Sequence, residues 1–301
     1  MSKLVKWVAA VAAGLVVAIV VAVTLVDWLA ERKQNRVLDF AVAPVAYVTD
    51  AAALERGKYL YESRGCMECH GADGAGHDVV DDPGGMHVRS PNISPGPGSV
   101  VSRYTEADWV RAIRHGVSPQ KHPLFLMPSK DYSLLTDADL AAIVAYCRSL
   151  PPAKGGPALI RLPFIVKALY VAGQIQDDAE LIDHARKPPA AVPEGASAEE
   201  GAYVAQMCRG CHGDGLSGGK IPGAPPEWPP AANLTPGSGS AMPRYPSVEA
   251  FKTMLRTGTR PDGTAVSRVM PFATLARLND TDVAAIYAYL GTLSPRPAGS
   301  R

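Results

Sequence analysis

The apolar and polar positions divide this chain into one uncharged run near the N-terminus and two amphipathic stretches that repeat each other. From Trp7 to Val26 there are twenty residues without a charge, almost all Ala, Val, Leu or Ile. At about 1.5 Å rise per residue, such a helix covers the roughly 30 Å hydrocarbon core of a bilayer. Trp7 and Trp28 bracket the run, as aromatic residues do at membrane interfaces. A secretory signal has an apolar region of only about 7–15 residues with a small-residue cleavage site close behind. Ala41-Val42-Ala43 fits that cleavage pattern but starts fifteen residues past the run, so a retained anchor is expected over a removed signal. Lys3 and Lys6 on one side, and Arg32, Lys33 and Arg36 on the other, leave orientation open on charge alone.

Beyond the anchor, one unit is written twice. Gly57-Lys58-Tyr59-Leu60 corresponds to Gly201-Ala202-Tyr203-Val204 at an offset of 144. Asn92-Ile93-Ser94-Pro95-Gly96 corresponds to Asn233-Leu234-Thr235-Pro236-Gly237 at 141, as does Arg103-Tyr104 to Arg244-Tyr245. Met127-Pro128 matches Met270-Pro271 at 143, and Thr136 to Leu150 matches Asn279 to Leu293 without a gap. Each unit is expected to close on a helix capped by Thr136 or Asn279, with the N3 carboxylates Asp139 and Asp282 meeting orphan N–H groups and the helix dipole. Leu140, Ile143, Val144 and Cys147, and Val283, Ile286, Tyr287 and Leu290, recur at helical spacing. Their predicted packing partner is the helix at the start of each unit. Between the units, Pro151 to Ala198 is rich in Pro and Ala and reads as a surface linker. Its apolar piece, Leu159 to Ala172, is interrupted by Arg161, Pro163 and Lys167 and is too short to span a bilayer. An interfacial membrane contact through Phe164, Ile165, Leu169 and Tyr170 is the lesser reading.

The net charge of +1 supplies no basic surface, so nucleic acid is not an expected partner. The cysteines change the picture more. Four of the five fall in Cys66-Met67-Glu68-Cys69-His70 and Cys208-Arg209-Gly210-Cys211-His212, each a C-x-x-C-H. This is the c-type haem attachment signature. Two thiols bond the two vinyl groups of one porphyrin, and the next residue offers an imidazole to the iron. Two copies at one place in a repeat set aside a redox C-x-x-C or half a zinc site, so two covalently bound haem c groups are expected. The fifth, Cys147, reads as a small buried hydrophobe.

The residue on the far face of each iron decides its chemistry, and Met gives a saturated electron-transfer centre. His70 precedes Met127 by 57 residues and His212 precedes Met270 by 58. Both methionines precede Pro in a loop before the closing helix, which makes them the candidate ligands. Met242 and Met86 lack equivalents in the repeat and rank below them. His77, His87, His115, His122 and His184 also lack a duplicate and read as ordinary histidines, with His122 the least safe because it lies close to Met127. Arg103 and Arg244 are candidate donors to haem propionates; Asn92, Asn233, Tyr104 and Tyr245 share that reading, against turn chemistry or packing.

With these motifs the chain resembles a pair of class I c-type cytochromes. It is also similar to the cytochrome subunits of bacterial membrane-bound alcohol and gluconate dehydrogenases over roughly residues 50–150 and 195–295. Those subunits usually carry three haems, whereas two motifs stand here behind one anchor. The resemblance implies an all-α fold, an N-terminal transmembrane helix followed by two tandem class I cytochrome c domains. The expected segments are an anchor (1–30), a juxtamembrane linker (31–50), domain 1 (51–152), a Pro/Ala-rich linker (153–197), domain 2 (198–296) and a tail (297–301). It further implies His/Met ligation and haem attachment outside the bacterial cytoplasmic membrane. That orients the anchor as a single pass with both haem domains in the periplasm. The expected function is single-electron transfer between respiratory-chain partners: a dehydrogenase, a bc1-type complex or a terminal oxidase. The alternative is a dihaem enzyme, such as a peroxidase or thiosulfate dehydrogenase, which would need two unlike haem sites.

Overall fold

The computed structural model describes residues 2–301. α1 (Lys3–Gln34) starts at Ser2, whose hydroxyl accepts the Val5 N–H, and its apolar stretch packs against little else in the protein. The first unit contains α2 (Ala51–Ser63), α3 (Cys66–His70), β1 (Asp78–Asp81), β2 (His87–Arg89), α4 (Glu106–His115), α5 (Ser129–Tyr132) and α6 (Asp137–Ser149). The connecting segment holds β3 (Leu159–Arg161), α7 (Phe164–Val171) and α8 (Asp178–Leu181). The second unit contains α9 (Ala198–Val204), α10 (Gln206–His212), α11 (Val248–Thr257), α12 (Phe272–Leu275) and α13 (Asp280–Thr292).

The fold is helix-rich, as the pattern predicts, with one small addition. β1, β2 and β3 form an antiparallel sheet in that order, with His87 opposite Asp81 on one side and Arg161 on the other. The sheet joins the connecting segment to the first unit. Strands this short carry no readable alternation, which is why sequence pattern misses them.

Each unit buries its own core. Leu60, Trp109, Ile113, Leu140, Ile143 and Cys147 belong to the first; Val204, Phe251, Leu255, Val283, Ile286 and Leu290 to the second. The closing helix crosses the opening helix in both, α6 on α2 and α13 on α9. Gly57 and Gly201 sit at the crossings. A Cβ on either would lie 1.9 Å from the carbonyl oxygen of Ala142 or Ala285, so only glycine admits this approach. The repeated glycine of the sequence is thus a contact requirement.

The caps form as expected but the N3 carboxylates do not. Thr136 and Asn279 accept the N–H groups of Asp139 and Asp282. Asp139 and Asp282 themselves turn away from their own helix starts and are buried between the units. Tyr203 of the second unit donates to Asp139 Oδ2 at 2.6 Å and accepts the Thr136 N–H at 3.1 Å. Reciprocally, Tyr59 donates to Asp282 Oδ2 at 2.6 Å and accepts the Asn279 N–H at 3.2 Å. Each unit therefore completes the other's closing cap. Arg56 adds a paired contact to Asp139 within the first unit, and Arg64 reaches Asp282 at 2.7 Å across the interface.

The connecting segment is more than a surface tether. Phe125, Leu162 and Tyr170 form a third cluster with Met86, Val166 and Ile175 around them. Beneath it, Arg36 just past α1 makes two bonds to fully buried Asp177, at 2.7 and 2.8 Å, and Tyr170 donates to the same carboxylate. Burial alone would raise the Asp177 carboxyl; the Arg36 and Tyr170 hydrogen bonds offset it and hold the group below its usual value.

Candidate haem-binding sites

Both C-x-x-C-H sequences are helical. α3 sets Cys66 and Cys69 three residues apart, hence on one helix face, and α10 does the same for Cys208 and Cys211. Cys66 and Cys208 each line a cavity, and burial pushes their thiols up to about 12, which keeps them neutral. A glycine in the left-handed region follows each histidine, Gly71 at φ 77° and Gly213 at φ 81°, and reverses the chain at once. The returning backbone then meets the imidazole. His70 Nδ1 lies 3.1 Å from the Pro91 carbonyl, and His212 Nδ1 lies 2.8 Å from the Ala232 carbonyl. A carbonyl only accepts, so Nδ1 carries the proton and Nε2 keeps its lone pair for a metal. Burial holds both imidazoles below their ordinary pKa, which favours the neutral form that ligation requires.

Cys66, His70 and Met127 line one cavity of about 240 Å³. Its walls are mainly apolar and come from α2 to α6 and the loops between them, with Tyr104, Trp109, Ile113, Leu135 and Ile143 among them. Cys147 lines it too, so the fifth cysteine is a wall residue whose thiol is raised by burial. Cys208, His212 and Met270 line a second cavity of about 90 Å³, with Tyr245, Phe251, Leu255, Leu278 and Ile286 in corresponding places. A covalent porphyrin with two axial ligands needs this set: paired thiols, a carbonyl-locked imidazole, a thioether and an apolar wall. The residues present fit it in both units.

The competing ligands lie elsewhere. Met86 belongs to the cluster under α7, and Met242 packs on the second core without lining its cavity. His122 Nδ1 sits 3.3 Å from the Arg36 carbonyl. His115 and His184 meet at 3.0 Å, and the ring of Phe40 stacks on His184. His87 pairs with Asp78 at 2.8 Å.

The polar candidates divide. Arg244 lines the second cavity, whereas Arg103 is exposed and is not among the residues lining the first. Arg260 joins Arg244 on the second rim, where the first has Ser118 and Gln120. No repeated charge marks Arg260 in the sequence, because its counterpart, Ser118, is uncharged. Asn92 and Asn233 are fully occupied inside the protein. The Asn92 amide donates to the Pro97 and Ala153 carbonyls and accepts from the Ser94 N–H and hydroxyl. Asn233 repeats this with Ser238, Arg296 and Thr235. Turn chemistry, not a propionate, explains their duplication.

Each haem motif also touches the methionine loop of the other unit. Thr274, four residues after Met270, donates to Glu68 of the first motif at 2.9 Å. Asp131, four residues after Met127, lies against Gly210 of the second motif. Lys130 reaches Asp214 just beyond that motif at 3.1 Å.

A family model described as cytochrome C oxidase, cbb3-type, subunit III matches residues 52–147 and again 194–290. The chain is 28% identical over 293 residues to the gluconate 2-dehydrogenase cytochrome c subunit of Pantoea cypripedii, across 87% of this chain and 64% of that protein. It is 28% identical over 279 residues to a nicotinate dehydrogenase subunit of Pseudomonas putida, across 82% of this chain and 22% of that protein. A diheme cytochrome c-type protein of Cereibacter sphaeroides is 33% identical over 108 residues, 32% of this chain and 36% of the relative. The chain thus spans less than two thirds of each of these relatives. Because the family model matches twice, once over each half of the duplication and over more than half the chain in all, this protein belongs to the cytochrome c oxidase, cbb3-type, subunit III family and is a haem-binding cytochrome c.

Proposed function

We propose that the chain carries two haem c groups, one per unit, and passes single electrons between a membrane-bound dehydrogenase and the respiratory chain on the periplasmic side. Cys66 and Cys69, and Cys208 and Cys211, are the covalent attachment points. His70 and Met127 hold the first iron, and His212 and Met270 the second. A haem iron ligated on both faces supplies reversible Fe(II)/Fe(III) chemistry with no position for a substrate. The protein residues fix the imidazole tautomer through the Pro91 and Ala232 carbonyls, exclude water with apolar walls, and present Arg244 and Arg260 toward negative charge at the second rim.

The observation that carries this reading is the reciprocal packing of each haem motif on the other unit's methionine loop. Packing of this kind joins the two cavities through one shared interface, so an electron entering at one site has a partner site within the same chain. Names among the relatives support a dehydrogenase as donor. Retention of α1 as a single-pass anchor is supported by the Arg36–Asp177 pair. Cleavage after Ala43 would remove Arg36 and leave a fully buried carboxylate without its cation, which is strongly destabilising.

The test has two parts. Ferric spectra of the loaded protein should show both irons low-spin and slow to bind cyanide; a high-spin centre or rapid cyanide binding at one site would replace electron transfer with enzymatic haem chemistry. Extraction in mild detergent should bring down a dehydrogenase in stoichiometric amount. Recovery of the chain alone would instead make it a tethered shuttle.

A further inference from the structure

The helix α7 has the sequence FIVKALYV, and the protein uses one side of it. Tyr170 is fully buried, and Val166 packs on the third cluster. On the other side Phe164 is 46% exposed, Ile165 62% and Leu169 37%, three large apolar side chains on a two-turn helix. Two contacts fix α7 against α1. Lys167 pairs with Asp27 at 2.8 Å, and Lys33 donates to the Tyr170 carbonyl at 2.9 Å. Residue numbers rise together along both helices, so they run in the same sense. The first turn of α7 therefore lies beside α1 on the N-terminal side of Asp27. Val23 and Val26 are half-buried there, while Leu25 and Trp28 remain exposed. That level belongs to the uncharged run that ends at Val26.

We propose that the outer face of α7 is a second membrane contact, with Phe164, Ile165 and Leu169 seated at the boundary between headgroups and acyl chains. The proposal rests on the reading of α1 as a retained span and deepens it. If α1 crosses the bilayer, whatever stands beside its last apolar turn is held at the interface, and an exposed Phe-Ile pair there meets lipid. Leu25 is likewise exposed on α1 near that level, so a bilayer that meets one meets the other. Its edge is basic: Arg32 and Arg161 are exposed, and Lys167 is half-buried beside Asp27. Arg32 also lies over the Trp28 ring at 5.4 Å. Apolar residues flanked by such cations are suited to an anionic lipid surface. α7 is joined to the first unit through β3 and the third cluster, and the chain just past α1 meets that unit where the Leu38 N–H donates to the Lys121 carbonyl. Two separated attachments remove the freedom a lone tether would leave, and they hold the first haem unit, rather than the second, against the membrane.

Site-directed spin labelling tests this on full-length, haem-loaded protein in nanodiscs of phosphatidylethanolamine and phosphatidylglycerol. A nitroxide is placed at Ile165→Cys, at Leu25→Cys on α1, or at exposed Ala196→Cys as a water-side reference. Cys147 is buried, and haem attachment consumes the other thiols, so labelling is confined to the introduced cysteine. Power saturation compares relaxation by oxygen, which partitions into lipid, with relaxation by a water-soluble nickel chelate. The Ile165 label should follow the Leu25 label, with oxygen dominant, and the Ala196 label should reverse the ratio. If nickel dominates at 165 while oxygen dominates at 25, the proposal falls and the span stands. If nickel dominates at all three, the anchor reading falls with it. Shielding of the Ile165 label from both reagents would mean that a protein covers α7 and would also overturn the proposal.

Discussion

Met127 and Met270 each line the cavity that holds the histidine of their own unit, so a change at either should alter one redox centre and spare the other. Replacing either by His should keep the haem covalently bound and lower that centre's potential, because imidazole stabilises Fe(II) less well than a thioether. A spectroelectrochemical titration with neither wave moved would remove the ligand assignment. The rims differ as well. Arg244 and Arg260 line the second cavity, and no arginine is among the residues lining the first. Positive charge disfavours the ferric state, so the second centre should have the higher potential. Arg260→Gln should lower that wave alone; an unmoved wave would mean that the guanidinium does not act on the iron. The candidate ligands were legible because a covalent motif and a matched interval are local facts of sequence. The rim was not, since Arg260 comes near His212 only through folding.

At the scale of elements, the crossing of the first and last helices of each unit is the most constrained feature. Gly57→Ala or Gly201→Ala places a methyl group on a backbone carbonyl that cannot retreat without moving α6 or α13. Overpacking of this kind costs about 1–3 kcal/mol. The expected result is a lower thermal midpoint for folding at unchanged haem content, read by circular dichroism; an unshifted midpoint would show that the helices slide apart freely. Another element-level difference comes from two residues. Gly57 stands nine positions before Cys66, while Gly201 stands seven before Cys208. The extra pair is Arg64-Gly65, with Gly65 in the left-handed region at φ 87°. This insertion supplies the guanidinium that reaches Asp282. The helices themselves were legible from period and caps. The destination of the N3 carboxylates was not, because a capping box and a carboxylate aimed at another unit share one sequence.

On the scale of the whole molecule, the interface between units is polar and partly acidic. Burial, with Asp282 nearby, raises the Glu200 carboxyl from its ordinary 4.5 to about 7. Asp131, beside the second motif, is raised by burial and by Asp178 to about 7. Both hold protons in the folded chain over a range where the unfolded chain has lost them. At these two groups the folded state binds more protons, so their contribution to stability falls as pH rises from about 4.5 to about 7, while the imidazoles of His70, His115, His184 and His212, held below their ordinary pKa by burial, add a contribution that rises over the lower part of that window. In denaturant unfolding at intervals across that window, Glu200→Gln should make the slope of stability against pH more positive than in the unsubstituted chain. A slope unchanged by the substitution would place the titration elsewhere. Carboxylates held low by surface partners, such as Asp280 and Asp262, lose their contribution only below their ordinary range and leave this window unaffected.

The sequence by itself determined the chemistry of attachment, the two-fold repetition, the helices and the apolar run. Each is written in spacing between residues close along the chain or in equal intervals repeated. Tertiary structure alone decided that Tyr59 and Tyr203 exchange caps, that Asn92 and Asn233 are consumed by their own loops, and that each motif rests on the opposite methionine loop. It also decided that the connecting segment grips the base of α1 through Asp177 and Tyr170. These contacts join residues more than sixty positions apart or choose among several partners of equal chemistry. No local pattern encodes that choice, because it depends on which surfaces remain to be buried once each unit has closed.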